Sequence, residues 1–551
     1  MVKKIFPCLV VIIAAIISVF NLANYGIPPT HDGEYHIMRF SQFYKVLSSG
    51  DFYPRWAPDF NNGFGIPLFN YVYPLPNYVA SFFHVLGFGF IDSFKLNMAV
   101  ASIIGAIFFY LWSRKFWGEV GGVVSSVFYT FSPYHFLDIY VRGSVGEVWS
   151  LGLVPALLWA YTSFVENRRS KFFVFSAIFL SFLIFAHNIS ALIFFGFFIA
   201  YATFLMFIRN VEKGKFELIL HIKSLMFLIF IGFGISSPFW LPALLETKFV
   251  VGLQIFNPTA HFPVLYKLIY SSWGYGFSGT NLPDQMSFQI GIANLFAVLG
   301  AGLVLLLAKN KIISAFFISS FLAVIFLVTP FSTFVWKIFP LASYIQFPWR
   351  LLGLVILLAS FLAGSLVQDL LFKKREKLKI IFAFLLILFS VFLSISYAKA
   401  PFYHKRSDSH YLTRTNFTDG TNSPGNSFNT KWISGIPPKT KSKVEFIEGK
   451  GSIKIKEIHP VLYSFNVNTK EKAKLGINTA YFPGWTVYIN NKKIDIEKTD
   501  GKIQFAVSAG TSNVRVKLNN TPVQNISYAY FLISILALLL VSYKPPAIIK
   551  R

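Results

Sequence analysis

Up to about residue 397 the chain alternates long apolar runs with short basic or Gly/Pro-rich stretches. Twelve runs approach the roughly 20 residues a helix needs to span a bilayer. They fall near 5–22, 94–112, 120–131, 148–164, 172–185, 190–207, 225–241, 291–307, 312–328, 351–371, 380–395 and 528–541. Those at 120 and 172 are short on a strict apolar count. From about Lys441 the period changes to two, as in Ser452-Ile-Lys-Ile-Lys, Val461-Leu-Tyr-Ser-Phe-Asn-Val, Trp485-Thr-Val-Tyr-Ile, Ile503-Gln-Phe-Ala-Val and Asn513-Val-Arg-Val-Lys-Leu. Separated by turn signals such as Asn490-Asn-Lys and Ala509-Gly-Thr, these predict half-buried strands of an antiparallel sandwich.

The expected architecture is a polytopic α-helical membrane protein of about twelve helices with an extracytoplasmic antiparallel β-sandwich before the last helix. Its parts are a membrane domain over 1–397 with external loops at 23–93 and 246–289, a β-rich domain over 398–526, and a final helix and tail over 527–551. The stretch 398–440, rich in Ser, Asn, Thr, Gly and Pro, is either a linker or a loop folded over the sheet. Orientation follows from the basic clusters at Lys3-Lys4, Arg114-Lys115, 168–171, 209–215, 309–311, 373–377 and 544–551. They recur at every second helix end, which places them and both termini in the cytoplasm. The first run has the flank and core of a signal peptide, but a poor cleavage site makes it an uncleaved first helix.

Composition agrees with this reading: 54% of the 551 residues are hydrophobic and only 13% are charged. The net charge of +26 would suggest nucleic acid in a soluble chain, but here it belongs to orienting loops, and no nucleic-acid partner is expected. The single cysteine, Cys8, excludes a disulfide framework and a cysteine metal site.

Candidate chemistry gathers outside the membrane. After Pro28-Pro-Thr-His-Asp-Gly, helical spacing of Ile37, Phe40, Tyr44 and Leu47 predicts an amphipathic interfacial helix. His36 and Arg39 share an adjacent face, and Asp32 lies just before it; Asp32 is either a helix cap or part of a site. The loop Asp51 to Asn70, polar groups among aromatics, has site-like composition. A shorter external turn brings His135, Asp138, Arg142 and Glu147 to the membrane mouth, where ionisable groups pair or serve a site. Tyr481-Phe-Pro-Gly-Trp485 is either a sugar platform or sandwich core.

At these residues the sequence resembles the GT-C class of integral-membrane glycosyltransferases, its YfhO-like branch and proteins named for a 6-pyruvoyl-tetrahydropterin synthase-related membrane domain. The segments that carry the resemblance are His31-Asp-Gly-Glu-Tyr-His36 with Arg39, Tyr53-Pro-Arg-Trp56, Asn61-Asn-Gly-Phe-Gly-Ile-Pro67, Tyr140-Val-Arg-Gly-Ser-Val-Gly-Glu147, Gln346-Phe-Pro-Trp-Arg350 and Tyr481-Phe-Pro-Gly-Trp485. The resemblance implies a polyprenyl-phosphate-linked sugar donor and a glycan, lipid or protein acceptor, with Asp32 as catalytic general base. It implies further that His36, Arg39, Arg55, Arg142 and Arg350 bind substrate or phosphate, with His31, Glu34, Tyr134 and Glu147 supporting them. Arg350 alternatively binds head groups of the membrane lipids. No cofactor is required by this reading; a divalent metal held by Asp32, Glu34 and His36 is the alternative. The histidines form no zinc cluster of the kind a soluble pterin enzyme needs. A transporter or flippase of polysaccharide or lipid-linked glycan is the competing function, although no internal repeat is seen. A scaffold that merely displays the sandwich is the third.

Overall fold

The structure is a computed structural model that describes residues 2–210, 215–252, 257–279, 284–305, 311–369, 375–412, 427–546 and 549. Parts of the basic clusters at 209–215, 309–311, 373–377 and 544–551, and residues 413–426 of the stretch before the sandwich, lie outside the described residues.

Among the described residues nine helices are long and apolar enough to cross a membrane, and Ser170–Ala186 and Ile292–Leu305 are shorter apolar helices. One of the nine, Phe90–Thr130, is two helices. Its backbone breaks at Gly118, where φ is 71° and ψ −178°, a conformation that suits a residue without Cβ. The chain then runs back on itself: Ser113 Oγ donates to the carbonyl of Gly122, Ser126 Oγ to that of Ala106, and the rings of Phe109 and Tyr129 stack at 4.3 Å. With this hairpin each of the twelve apolar runs is a helix.

The helices divide into an inner and an outer set. In Val145–Asn167 and Pro348–Gln368, 94% of the apolar window is buried, against 22% in Glu376–Tyr397 and Pro522–Tyr543. A helix apolar on every side and buried on every side is a bundle centre. The two central helices end at the same mouth, and their first turns carry Glu147 and Arg350.

The sandwich consists of β1 (Val444–Glu448), β2 (Gly451–His459), β3 (Leu462–Thr469), β4 (Ala473–Ala480), β5 (Trp485–Ile489), β6 (Lys492–Ile494), β7 (Lys502–Val507) and β8 (Gly510–Leu518). A three-stranded sheet, β1-β4-β7, faces a five-stranded one, β2-β3-β8-β5-β6, and every pairing is antiparallel. Alternate residues of β3, β8 and β5, among them Phe465, Val516 and Val487, meet Leu475, Ile477 and Phe505 from the other sheet. Phe482 and Trp485 belong to this core, so the Tyr481–Trp485 segment is packing at those two positions.

Two expectations are corrected. The helix Gly33–Ser48 does not lie on a surface: Ile37, Met38, Phe40, Gln42, Phe43 and Val46 are all buried in protein, so more than one face is packed. The loop 51–70 is in large part a peg for the sandwich. Trp56 and Phe64 enter the sandwich core, with Trp56 edge-on to Trp485 at 5.5 Å. The main chain of Phe64 accepts from Ala480 N at 2.9 Å, and that of Gly63 accepts from Lys443 Nζ at 2.7 Å. Asn61 and Asn62 bond to Asn429 and Pro437.

The stretch before the sandwich packs on both partners: residues 398–412 fold over the first loop, while Trp432 lies edge-on to Tyr481 at 4.9 Å and Ile433 enters the sandwich core. Ile27 pairs with His404, Arg406 donates to Glu34 at 2.7 Å, and Asp408 accepts from the amides of Phe90 and Ile91.

Candidate active site

Asp32 stands at the N-cap position of the helix Gly33–Ser48, yet its side chain makes no capping bond. Thr30 Oγ1 accepts from Gly33 N at 3.1 Å instead. Asp32 is held through its backbone, where its N–H donates to the carbonyl of Arg142 at 2.9 Å and that of His31 donates to Val141 at 3.0 Å. This docking needs Gly143: with φ 64°, a Cβ there would lie 2.3 Å from Thr30 Oγ1. The carboxylate itself is half-buried and has no hydrogen-bond or ion-pair partner among the described residues. Its charge is felt by His31, Tyr73 and Arg350.

Beneath it lies a buried ionic group. The stretch Leu137–Arg142 is a π-helix, whose wider turn aims Arg142 inward. Arg142 grips Glu147 with both terminal nitrogens, at 2.5 and 2.6 Å, and also reaches Asp138. Its guanidinium lies 4.7 Å from the centre of the Trp349 ring. Arg350 approaches Glu147 Oε1 at 3.2 Å through Nε and donates through Nη1 to Gln346 Oε1 at 2.7 Å. Tyr134 donates to Glu147 Oε2 at 3.3 Å. The pairing anticipated for Arg142 and Glu147 therefore exists, and it commits both terminal nitrogens of Arg142 to carboxylates. Arg350 is the cation with a terminal nitrogen, Nη2, that has no hydrogen-bond partner among the described residues.

His36 is buried against Phe94, with ring centroids 6.1 Å apart and nearly parallel. Burial holds its imidazole well below the usual pKa, and the neighbouring charge of Arg39 adds to this. His31 hydrogen-bonds the carbonyl of Tyr275 at 2.9 Å and packs on Phe277, which draws the 246–289 loop over the site; burial lowers its pKa as well.

The structure thus brings together Asp32, His31, His36, Arg39, Tyr134, Arg142, Glu147 and Arg350. Two predicted residues lie elsewhere. Arg55 donates to Asn70 Oδ1 at 3.0 Å, to the carbonyl of Pro238 and to Tyr528, at the junction of the first loop with the last helix. Glu34 turns to Arg406 and Tyr411, so Asp32, Glu34 and His36 do not converge as a ligand set. Among the described residues no group of three or more His, Cys, Asp or Glu is placed to hold a metal ion. Two central residues were missed. Tyr73, buried, packs its ring 6.2 Å from His36 and 5.0 Å from His187, within reach of the charges of Asp32, Arg39, Glu147 and Arg350. His187 caps the end of Ser170–Ala186 and bonds Ser190 Oγ at 2.9 Å. An ionisable residue between two apolar runs was the available signal for His187.

A mouth of ionisable side chains, walled by long loops and floored by two helices buried along nearly their whole length, defines an integral membrane protein with its polar site at one end of the bundle. The chain belongs to the 6-pyruvoyl-tetrahydropterin synthase related family of membrane proteins, whose family model matches residues 69–399. No curated protein matches the sequence at a significant level. Among solved structures the chain is similar to the arabinofuranosyltransferase AftD from Mycobacteria, with 13% identity and a TM-score of 0.45 over 71% of this chain and 27% of AftD. It is similar also to the Archaeoglobus fulgidus oligosaccharyltransferase, solved with a tethered acceptor peptide, with 15% identity and a TM-score of 0.39 over 80% of this chain and 60% of that one. The chain spans less than two thirds of the length of either.

Proposed function

We propose that the protein is a membrane glycosyltransferase that moves a sugar from a polyprenyl-phosphate donor to an acceptor hydroxyl outside the cytoplasm. The observation that carries this reading is Asp32: a carboxylate fixed by its backbone, relieved of the capping role by Thr30, and set at the mouth near Arg350. In the reaction Asp32 takes the proton of the acceptor hydroxyl as its oxygen bonds the anomeric carbon. The bond from that carbon to the phosphate oxygen breaks, and polyprenyl phosphate leaves with the electron pair. Arg350 offsets the charge that builds on the phosphate, acting from a site already organised by Glu147 and Gln346. Short external helices beside this mouth, Leu265–Ile269 and Thr333–Ile338, expose Tyr266, Ile269, Phe334 and Ile338, an apolar flank suited to a polyprenyl chain. The basic clusters then face the cytoplasm.

The test is to incubate the purified protein in lipid with a panel of radiolabelled polyprenyl-phosphate sugars, acceptor extracts and divalent metal. Release of polyprenyl phosphate by the wild type, lost in Asp32→Asn, is the expected result. Turnover retained in Asp32→Asn removes the general-base role, and no release with any donor favours the transporter reading.

A further inference from the structure

The mouth does not use Arg55, and the surroundings of that residue form a site of their own. A cleft of about 40 Å³ lies where the first loop, the sandwich and the last helix meet, lined by Asp51, Tyr53, Arg55, Trp56, Asn519 and Tyr528 among others. Three donors in its wall are buried without a hydrogen-bond partner: Arg55 Nε, Tyr53 Oη and Trp56 Nε1. Arg55 is 7% exposed and has no direct ion pair among the described residues; the carboxylates of Asp51 and of Glu246, which Asn70 links to Arg55, act on it only from beyond contact. Buried donors normally find acceptors, and a buried guanidinium normally finds an anion.

Asn519 also lines a second, open cavity of about 310 Å³ on the outer face of the five-stranded sheet, with Tyr488, Asn491, Arg515 and Lys517. The register explains this face. Ser464, Arg515, Tyr488 and Lys493 lie side by side across β3, β8, β5 and β6, and Lys517 follows Arg515 two residues on. The outward positions of β3, β8 and β5 include Ser, Asn, Thr, Tyr, Arg and Lys and no Asp or Glu. Arg515, Lys517 and Lys493 have no ion-pair partner among the described residues. Small hydroxyl and amide side chains match a ligand rich in hydroxyls, and unpaired cations match one that carries negative charge.

We propose that the sheet face and the Arg55 cleft form one continuous site for an anionic polysaccharide, which lies across β8 and β5 and sets a carboxylate or phosphate group against Arg55. Only the further statement that this polysaccharide is the acceptor rests on the transfer reading. A face that bound anionic lipid would present several large apolar side chains to insert; beside Leu462 and Tyr488 the uncharged side chains of this one are Asn, Thr and Ser.

The experiment measures binding by the full-length protein in neutral-lipid nanodiscs. The probes are fluorescent oligogalacturonate, neutral dextran and phosphatidylglycerol vesicles, and the proteins are wild type and Arg515→Ala/Lys517→Ala. Both side chains are exposed, so the variant keeps its fold, which a melting curve verifies. Oligogalacturonate should bind, weaken with salt and lose about tenfold or more in affinity in the double variant, as expected for charge-assisted contacts; dextran should not bind. Equal binding of dextran, equal binding by the double variant, or capture of vesicles without oligogalacturonate binding overturns the proposal. Sugar release is assayed separately. Binding without Asp32-dependent release keeps this site and removes the transfer reading, and release without binding does the reverse.

Discussion

Asp32 and Arg142 divide the work of one loop between side chain and main chain. The carbonyl of Arg142 positions Asp32, while its guanidinium is committed to Glu147 and Asp138. Removing one partner of such a pair leaves a buried charge, so Glu147→Gln should cost about 3–5 kcal/mol, read as a fall in melting temperature. Gly143→Ala tests the main-chain half. Its positive φ and the approach of Thr30 make it destabilising by about 1–3 kcal/mol, and transfer should fall further than stability because Asp32 moves. His36 gives a pH signature. Its pKa is lowered on folding, so the unfolded chain binds more protons; its contribution is complete above pH about 6.5 and is lost as pH falls below that. The melting temperature should therefore drop between about pH 7 and pH 5, and less so in His36→Gln; an unchanged slope in that variant would argue against a buried neutral imidazole. At this scale the sequence pointed to Asp32, Arg142 and Glu147, because charged residues beside apolar runs stand out, and to Arg350 through the resemblance of Gln346-Phe-Pro-Trp-Arg350. Tyr73 was not visible, since an aromatic in a Pro-punctuated loop looks like any other until packing selects it.

Among the elements, those with an unmixed period were legible. All twelve apolar runs are helices, and β3, β5 and β8 alternate between buried and open positions as expected, whereas β2 is an exposed edge strand and buried Gln504 interrupts the alternation of β7. β4 escaped notice because it alternates with nothing: Leu475 to Ala480 is buried throughout. One of its faces lies in the sandwich core and its end meets the first loop at Phe64, so Gly476 and Asn478 occupy enclosed positions that look polar in the sequence. The loop 51–70 misled for a related reason, since its aromatics and amides serve docking. Trp56→Ala should cost about 3–5 kcal/mol, in the range for loss of a buried aromatic. It should also loosen the sandwich from the bundle, seen as faster proteolysis in 427–443 with no change in the helix content measured by circular dichroism.

For the whole molecule, the contacts that fix the site join residues far apart in the chain. Arg55 meets Tyr528, Asn61 meets Asn429, and Glu34 meets Arg406. No local pattern announces such pairs, which is why the clasp over the first loop was invisible as a sequence. That clasp bears on how the protein is made. Asp32 leaves the ribosome early, yet the residues that hold its loop, Arg406 and Asp408, are translated only after eleven of the twelve apolar helices, once residue 397 has passed. A chain stopped there carries Asp32, Arg142, Glu147 and Arg350 and still lacks the strand partner of Ile27. Maturation of the site is thus a late event in biosynthesis, and a truncation at 397 should insert but show no turnover until residues 398–551 are supplied in trans.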